Sequence, residues 1–322
     1  MDIQIIINQI LVLFILMAVG FVISKVKVLT REGNKTLTKL VLSVTLPCTI
    51  LSSVFANELE ITAGGTAYFL LMSLFTISIA FIISLPVVRA MGGNKDNQGL
   101  LHFMATFGNS GFFGFPVSIA IFGISSAYYI ALFSILFNVI VFSVGIIMVS
   151  CKTATDDNRA NRTTGDNRAG SGFNPKSLIN PTLITALSAI LIALTGFKLP
   201  YVATEAIRIT GNITIPGAMI IVGSSLAFVP LKTVFSEWRV IPVTLLKLVV
   251  IPFITWLILK QIITNELLLG VLVVMSAMPV ATMAPILAIE YDANEQVASA
   301  GIFLSTLLCG VTIPLVVYFL LI

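Results

Sequence analysis

The sequence has few charged residues and few of the side chains on which metal sites and enzymes depend. Only 10% of its 322 residues are charged and 57% are hydrophobic, which excludes an ordinary soluble domain. It has a single histidine and an odd number of cysteines, so no disulfide framework is expected. No metal-ligand cluster and no nucleophile–base pair is visible, so we predict no cofactor and no enzymatic activity. Basic stripes interleaved with aromatic residues are also missing, and we predict no nucleic acid partner.

Long apolar runs are what the sequence has instead. Runs of about 20 apolar residues recur along the chain, and this length crosses a lipid bilayer as an α-helix. We predict an all-α polytopic membrane protein with ten membrane-spanning helices, at residues 5–23, 37–55, 66–88, 99–122, 127–149, 181–194, 204–228, 240–262, 266–290 and 295–321. The polar stretch KTATDDNRANRTTGDNRAGSGFNPKS separates five spans from five. The predicted divisions are therefore a first five-helix repeat at 1–150, a loop at 151–178 and a second repeat at 179–322.

The distribution of lysine and arginine indicates the orientation of the spans. Basic residues are concentrated between predicted spans 1 and 2, 3 and 4, and 7 and 8, and in the central loop, whereas the opposite side carries only Lys198 and Lys260. Cytoplasmic loops are enriched in lysine and arginine. We therefore predict a cytoplasmic central loop and two extracytoplasmic termini in a multi-pass protein of the cell membrane. An odd number of spans in each half makes the second half inverted relative to the first.

The fourth predicted span is interrupted by GNSGFFGFP, residues 108–116. Glycine, asparagine, serine and proline together break a helix, and in hydrocarbon each freed backbone group must find a partner or cost several kcal/mol. The ninth predicted span contains a similar stretch, MPVATMAP, residues 278–285. The final prolines of the two stretches are 169 residues apart, and the prolines of the second and seventh spans have the same separation. This pattern is expected of inverted-repeat transporters whose site is made by two discontinuous helices.

The prolines that end the two stretches indicate what the interruptions are for. A proline at the first position of a helix lacks only an N–H group that would be unpaired anyway, so each of the two is predicted to start a half-helix. The N-terminus of each half-helix would direct free N–H groups and partial positive charge at the midplane. Two such ends would bind an anion without a formal cation. The residues predicted to form this crossover are Gly108, Gly111, Gly114, Pro116, Pro279 and Pro285.

These motifs resemble a known family. GNSGFFGFP is similar to the fourth-helix motif of the auxin efflux carrier family, which includes plant PIN carriers and bacterial malate permeases. ITIPGAMIIVGSSLA, KLVVIP, INP and LST in later spans agree with it, and the resemblance covers nearly the whole chain. It implies ten helices in two inverted repeats, a scaffold domain, a transport domain with crossed fourth and ninth helices, elevator-like movement and organic-anion substrates. The short central loop favours a bacterial permease, and hence the bacterial inner membrane.

The resemblance also implies substrate-binding residues. Asn109 lies seven residues before the final proline of its stretch, as does the substrate-contacting asparagine of the family motif. Its amide can donate to a carboxylate without burying a net charge, and the alternative is a hydrogen bond that packs helices. Ser110 and Thr282 flank the same crossover. Asn180, in INP, matches a second asparagine of the family, and the alternative is a helix cap.

Five further polar residues of the spans have both a functional and a structural interpretation. Asn138, Ser305 and Thr306 are near pseudo-equivalents that either face the crossover or bond to neighbouring helices. His102 lies about two turns before the first interruption and is a candidate for proton coupling. Lys247, in the middle of the eighth span, is a candidate counter-charge for the substrate, and the alternatives are an ion pair or snorkelling to the membrane surface.

We predict from these features a secondary carrier for a small organic anion, such as malate or another carboxylate. A sodium-coupled symporter resembling bile-acid carriers and an anion channel are the alternatives. No Asp or Glu lies at mid-bilayer in any predicted span, which disfavours carboxylate-based ion coupling, although neutral oxygens can bind sodium. We also predict an ion pair between Glu205 and Arg208. A homodimer is predicted through the scaffold helices around residues 213–227 and their counterparts in the first half, because small residues allow close approach of helices.

Overall fold

The computed structural model describes residues 3–55, 62–91, 95–150, 181–195, 197, 199–229, 237–291 and 293–321. The predicted central loop and Asn180 lie outside these ranges. Within them the secondary structure is helical, apart from one isolated β-bridge. In chain order the helices are α1 Ile3–Lys25, α2 Arg31–Phe55, α3 Ala63–Ala90, α4 Lys95–Thr106, α5 Ser110–Phe122, α6 Ser126–Ser150, α7 Pro181–Thr195, α8 Tyr201–Gly211, α9 Thr214–Ala227, α10 Val240–Leu259, α11 Glu266–Ser276, α12 Ala284–Glu290 and α13 Glu295–Leu321.

Length and hydropathy show which of these helices can cross a membrane. In the described part of the chain, seven helical segments are long and apolar enough: α1, α2, α3, α6, α8 with α9, α10 and α13. The shorter apolar helices are α5, α7 and α11. The prediction of an all-α polytopic membrane protein is thereby confirmed. The count of ten spans in two inverted repeats stays a prediction.

A separation of 169 residues recurs between features of the two halves. α6 begins at Ser126 and α13 begins at Glu295, which is 169 residues later. The hydroxyl group of Thr214 donates a hydrogen bond to the hydroxyl of Thr45 at 2.9 Å, and these two residues are also 169 apart. α1 packs on α9. α7 follows α1 at about this separation, and it packs on the second half of α2. This is the separation at which the proline pairs recur.

The junction between α8 and α9 interrupts the predicted seventh span. Asn212 and Ile213 form a turn there, and the carbonyl group of Gly211 accepts a hydrogen bond from the hydroxyl group of Thr49 at 2.9 Å. A side-chain hydroxyl thus satisfies a carbonyl at the interruption, as burial in an apolar environment requires. On α8 the predicted ion pair is confirmed, since the Arg208 guanidinium donates to the Glu205 carboxylate at 2.8 Å.

The small residues of α9 pack inside the chain, against α1. A Cβ atom on Gly223 would lie 1.8 Å from the carbonyl oxygen of Met17 in α1, and one on Gly20 would lie 2.3 Å from that of Ile220 in α9. Ten of the fourteen residues of α9 are buried within the single chain. The close approach that small residues permit is therefore made with α1. A homodimer, and the surface through which it forms, stay predictions.

Candidate functional site

Two interrupted helices meet in the interior of the protein. α4 ends at Thr106 and α5 begins at Ser110, so the first interruption is only three residues long. α11 ends at Ser276 and α12 begins at Ala284, so the second is seven residues long. The two interruptions lie side by side, and hydrogen bonds connect their backbones.

Hydrogen bonds between the two interruptions explain why the chain tolerates them. The N–H group of Asn109 donates to the carbonyl of Pro279 at 2.7 Å, and the N–H of Ala281 donates to the carbonyl of Phe107 at 3.2 Å. These bonds flank an isolated antiparallel bridge. Each broken helix thus supplies partners for the backbone groups that the other has freed, which removes the penalty for unpaired polar groups in an apolar environment.

Asn109 caps the half-helix that follows the first interruption. Its side-chain oxygen accepts a hydrogen bond from the N–H of Phe112 at 3.1 Å, and its carbonyl accepts one from Gly114 at 3.0 Å. The half-helix therefore begins at Ser110 with a π-helical turn, Ser110–Gly114, which the Asn109 cap supports. Its α-helical part begins at Phe115, so Pro116 is the second residue of that part, which agrees with the prediction to within one position. The Asn109 side-chain NH2 makes no hydrogen bond with any described residue.

The second half-helix, α12, is short. Pro285 is its second residue, which agrees with the prediction to within one position. The helix ends at Glu290 after seven residues. In α5, two of the first four N–H groups already have protein acceptors, since Ser110 donates to the carbonyl of Gly108 and Phe112 donates to the cap. Helix dipoles alone are therefore a weak basis for an anion site here.

A small cavity adjoins the first interruption. It receives side chains from α3, α6, α10 and α11 as well as from the interruption itself. The cavity has room for no more than about one water molecule, so a larger ligand fits only if the surrounding helices move apart. The lining residues are Thr76, Ile77, Ala80, Thr106, Gly108, Ser110, Phe133, Phe137, Lys247, Met275 and Ser276.

Lys247 is the charged residue of this lining. It lies in a π-helical turn, Leu246–Val250, in the middle of α10, and its side chain is 1% exposed. Its ammonium group donates to the carbonyl of Thr106, the last residue of α4, at 2.9 Å. A cation is favourable there because the C-terminus of a helix carries partial negative charge. Among the described residues no carboxylate lies within ion-pairing distance of Lys247, and its position beside the interruption excludes snorkelling.

A short polar network connects Lys247 to the single histidine. Nε2 of His102 lies 3.0 Å from the carbonyl oxygen of Phe81, which also accepts a hydrogen bond from Ser84 at 3.1 Å. The Ser84 hydroxyl is 3.1 Å from the hydroxyl of Thr106, whose carbonyl binds Lys247. His102 is thus tied to α3 and does not line the cavity. Its candidate role in coupling stays a prediction.

Comparison with known proteins shows the family of this chain. Residues 5–317 match the family described as Membrane transport protein. The chain belongs to this family. The match confirms the auxin efflux carrier family that the motifs indicated.

Similar proteins in other organisms are also named as transporters. The uncharacterized transporter MJ1031 of Methanocaldococcus jannaschii is 26% identical over 313 residues, which cover 93% of this chain and 94% of the relative. An uncharacterized transporter of Methanothermobacter thermautotrophicus is 26% identical over 312 residues, 96% of each chain. The uncharacterized transporter YfdV of Escherichia coli is 22% identical over 318 residues, which are 97% of this chain and 96% of the relative. The similarity therefore extends over nearly the whole chain.

The other predicted binding residues have different surroundings. Ser305 is fully buried, accepts a hydrogen bond from the N–H of Val280 at 3.0 Å and donates to the carbonyl of Ile302 at 3.2 Å. Its hydroxyl is committed to holding the second interruption, which favours the structural alternative. Thr306 is buried, whereas Asn138 and Thr282 are half-buried. None of these four residues lines the cavity.

Sequence reasoning missed three hydroxyl-bearing residues of the lining. Thr76 and Thr106 are isolated threonines in apolar helices, and such residues usually bond to the preceding turn of their own helix. Both do so here, with the carbonyl groups of Met72 and His102. Ser276 could have been predicted as a lining residue, because it ends α11 just before the predicted interruption.

Two of the crossover glycines differ in the space around them, and alanine substitutions at these two positions form a matched pair of variants. A Cβ atom on Gly108 would lie 3.0 Å from Cβ and 3.1 Å from the carbonyl oxygen of Met278, whereas a Cβ on Gly111 would meet nothing within 4 Å. We expect Gly108→Ala to lose about 1–3 kcal/mol of stability, and Gly111→Ala to be neutral or slightly stabilising because alanine favours helices. The midpoint of thermal unfolding in detergent measures both. Equal midpoints for the two variants would show that the interruptions are not closely packed.

Proposed function

We propose that this membrane transport protein is a secondary carrier for a small organic anion, such as malate or another carboxylate. The observation that carries the proposal is Lys247, a buried lysine with no described carboxylate partner, in a small cavity beside two interrupted helices. A buried charge without a counter-ion is costly, and a bound anion offsets that cost. Family membership supports transport, and the sign of this charge supports an anion.

Two features support a carrier that works by alternating access. The cavity holds no more than about one water molecule, so an organic anion fits only after part of the protein moves, whereas an open channel needs a continuous path wide enough for the anion. The recurring separation of 169 residues supports two repeats, and inverted repeats commonly move against each other around a site at the midplane. Ten spans, crossed interrupted helices and an elevator-like movement are parts of this proposal.

The proposed binding residues surround the first interruption. Lys247 supplies charge and the hydroxyl of Ser110 lines the cavity. The side-chain NH2 of Asn109, which lies between the lining residues Gly108 and Ser110 in the chain but is not itself in the lining, is proposed as the third donor. Thr282 and Asn180 are further candidates from the family resemblance. Ser305, Thr306 and Asn138 are proposed to hold the helices in place and not to contact the substrate.

Flux measurements in liposomes test the proposal. The purified protein should take up labelled malate or another carboxylate, and uptake should saturate and be accelerated by unlabelled carboxylate inside the liposomes. Protein-free liposomes are the control, and parallel measurements with and without sodium separate a symporter from an uncoupled carrier. Flux that rises linearly with concentration and follows the membrane potential would indicate a channel. No protein-dependent flux of any carboxylate in a broad panel would overturn the proposal.

A further inference from the structure

The turn between α1 and α2 has a lysine where glycine is the usual residue. The N–H of Lys27 donates to the carbonyl of Ser24 at 3.1 Å, and the N–H of Val28 donates to the carbonyl of Ile23 at 2.9 Å. These two bonds form a Schellman motif, whose left-handed position normally holds glycine. Lys27 occupies it with φ 63°, and among the described residues it is the only one other than glycine with a positive φ. A strained backbone that glycine would relieve points to a function of the lysine side chain.

The side chains of this turn are exposed and alternate between charged and apolar. Val26 is 62% exposed and Val28 is 76% exposed, and Lys25 and Lys27 are exposed as well. Both α1 and α2 are long and apolar enough to cross a membrane, so the turn that joins them lies at the membrane surface. At that depth valine side chains contact acyl chains, while the ammonium groups of lysines reach the lipid headgroups.

A row of basic side chains continues from the turn along α2. Arg31, Lys35 and Lys39 are exposed and spaced by four residues, so they lie on one face of the helix. The row covers about 12 Å of the helix axis, which is enough to cross the headgroup layer of about 5–8 Å on one side of a bilayer. Residues 25–39 contain five basic residues and one acidic residue, Glu32. Among the described residues, no carboxylate forms an ion pair with the row.

Hydrogen bonds to α9 hold the turn and the row in place. The Ser24 hydroxyl donates to the Ser224 hydroxyl at 2.7 Å, and the side-chain NH2 of Asn34 donates to the Ser225 hydroxyl at 3.1 Å. The bonded side chains lie on the face toward α9, so the lysines are left on the outer face. Like charges one helical turn apart repel each other, and a bound anion offsets that repulsion.

We propose that this basic surface, formed by residues 25–39, binds the phosphodiester headgroup of an anionic phospholipid. The ammonium groups of Lys27, Lys35 and Lys39 donate to the phosphate oxygens, and the exposed valines of the turn contact the acyl chains. The valines favour a lipid over a free phosphate or an acidic peptide, because only the lipid offers an apolar part beside its charge. The site lies on α1 and α2, outside the interruptions, and its ligand is a component of the bilayer and not a transported substrate.

Two lipids with the same acyl chains test the proposal on the wild-type protein. In native mass spectrometry from mild detergent, we expect dioleoyl phosphatidylglycerol to bind about ten-fold or more tightly than dioleoyl phosphatidylcholine. Phosphatidylglycerol should also raise the midpoint of thermal unfolding, because a ligand of the folded state stabilises it. Glycerol phosphate at the same concentration represents a free anion. Equal binding of the two lipids, or displacement of phosphatidylglycerol by glycerol phosphate, would overturn the proposal.

A double variant, Lys35→Gln with Lys39→Gln, tests the row. Each lysine near an anionic surface contributes about five-fold, so the double variant should bind phosphatidylglycerol about 25-fold more weakly and phosphatidylcholine as before. Lys260→Gln is the matched control, because Lys260 is an exposed lysine on the opposite side in the predicted topology, with its ammonium over the Trp256 ring. A wild-type lipid preference in the double variant would overturn the assignment, and so would an equal loss in Lys260→Gln.

Lys27→Gly separates the charge of the turn from its fold. Glycine adopts the left-handed conformation without strain, so the midpoint of thermal unfolding in detergent without added lipid should stay the same or rise. The affinity for phosphatidylglycerol should nevertheless fall about five-fold, because one ammonium group is lost. A lower midpoint together with unchanged affinity would show that Lys27 serves only the fold, and would overturn its role as a lipid ligand.

Discussion

Asn109→Ser should bind the substrate carboxylate about 10- to 150-fold more weakly than the wild-type protein while keeping its stability. Serine caps helices as well as asparagine does, so the N–H of Phe112 keeps an acceptor. The side-chain NH2 is lost, and with it a hydrogen bond to a charged group worth about 1.5–3 kcal/mol. Titration with the best-binding carboxylate measures the affinity, and the thermal unfolding midpoint measures the stability.

Asn109→Ala separates the two functions of this residue. Alanine removes both the cap and the NH2, so we expect the same loss of affinity together with a loss of about 0.5–2 kcal/mol in stability. If Asn109→Ser binds the carboxylate as tightly as wild type while Asn109→Ala is destabilised, then Asn109 is only a helix cap. The pair is informative because the structure shows the cap directly, whereas the ligand role is a proposal.

Asn109→Asp adds a test of the electrostatic argument. The aspartate oxygen can still accept from the N–H of Phe112, and a negative charge is favourable at a helix N-terminus. The same charge would repel a carboxylate bound beside Ser110 and compete with it for Lys247. We therefore expect the cap to survive and carboxylate affinity to fall further than in Asn109→Ser.

The sequence predicted the location of the two interruptions because helix breakers in apolar spans are rare and visible. It predicted the start of the α-helical part at Pro116 to within one position. It did not predict the π-helical turn at Ser110–Gly114, which the side chain of Asn109 caps closer to the interruption. The rule for proline was incomplete because hydrogen bonding that depends on three-dimensional geometry extends the helix.

The composition of the cavity was less accessible from the sequence. Lys247 was recognisable as an unusual charge in an apolar span, but three roles for it stayed open until its contact with Thr106 was known. Thr76 and Phe133 carry no signal of their own, because threonine and phenylalanine are common in packed membrane helices. Only the packing of α3 and α6 against the interruption brings them to the site.

The small-residue run of α9 also has two interpretations when only the sequence is known. A pattern such as GAMIIVGSS predicts that a helix approaches another closely, but it does not say whether the partner belongs to the same chain. The structure answers this with the contact between α1 and α9, in which glycines from both helices lie against the opposite backbone.

Gly223→Ala should therefore destabilise the folded monomer. The added Cβ would lie 1.8 Å from the carbonyl oxygen of Met17 and 2.9 Å from the N atom of Phe21, and neither backbone group can move without shifting α1. We expect a loss of about 1–3 kcal/mol, the usual cost of overpacking, seen as a lower thermal unfolding midpoint in detergent. Gly64→Ala is the matched control, because a Cβ at Gly64 meets nothing within 4 Å.

The oligomeric state of the Gly223→Ala protein distinguishes the two interpretations of this helix face. If α9 packs on α1 within one chain, the variant should lower the midpoint and leave the ratio of monomer to dimer in mild detergent unchanged. If α9 lies at a subunit interface, the variant should dissociate the dimer while the monomer keeps its wild-type midpoint. Native mass spectrometry and thermal unfolding on the same sample measure both quantities. Because ten residues of α9 are already buried in the single chain, the first result is the one we expect.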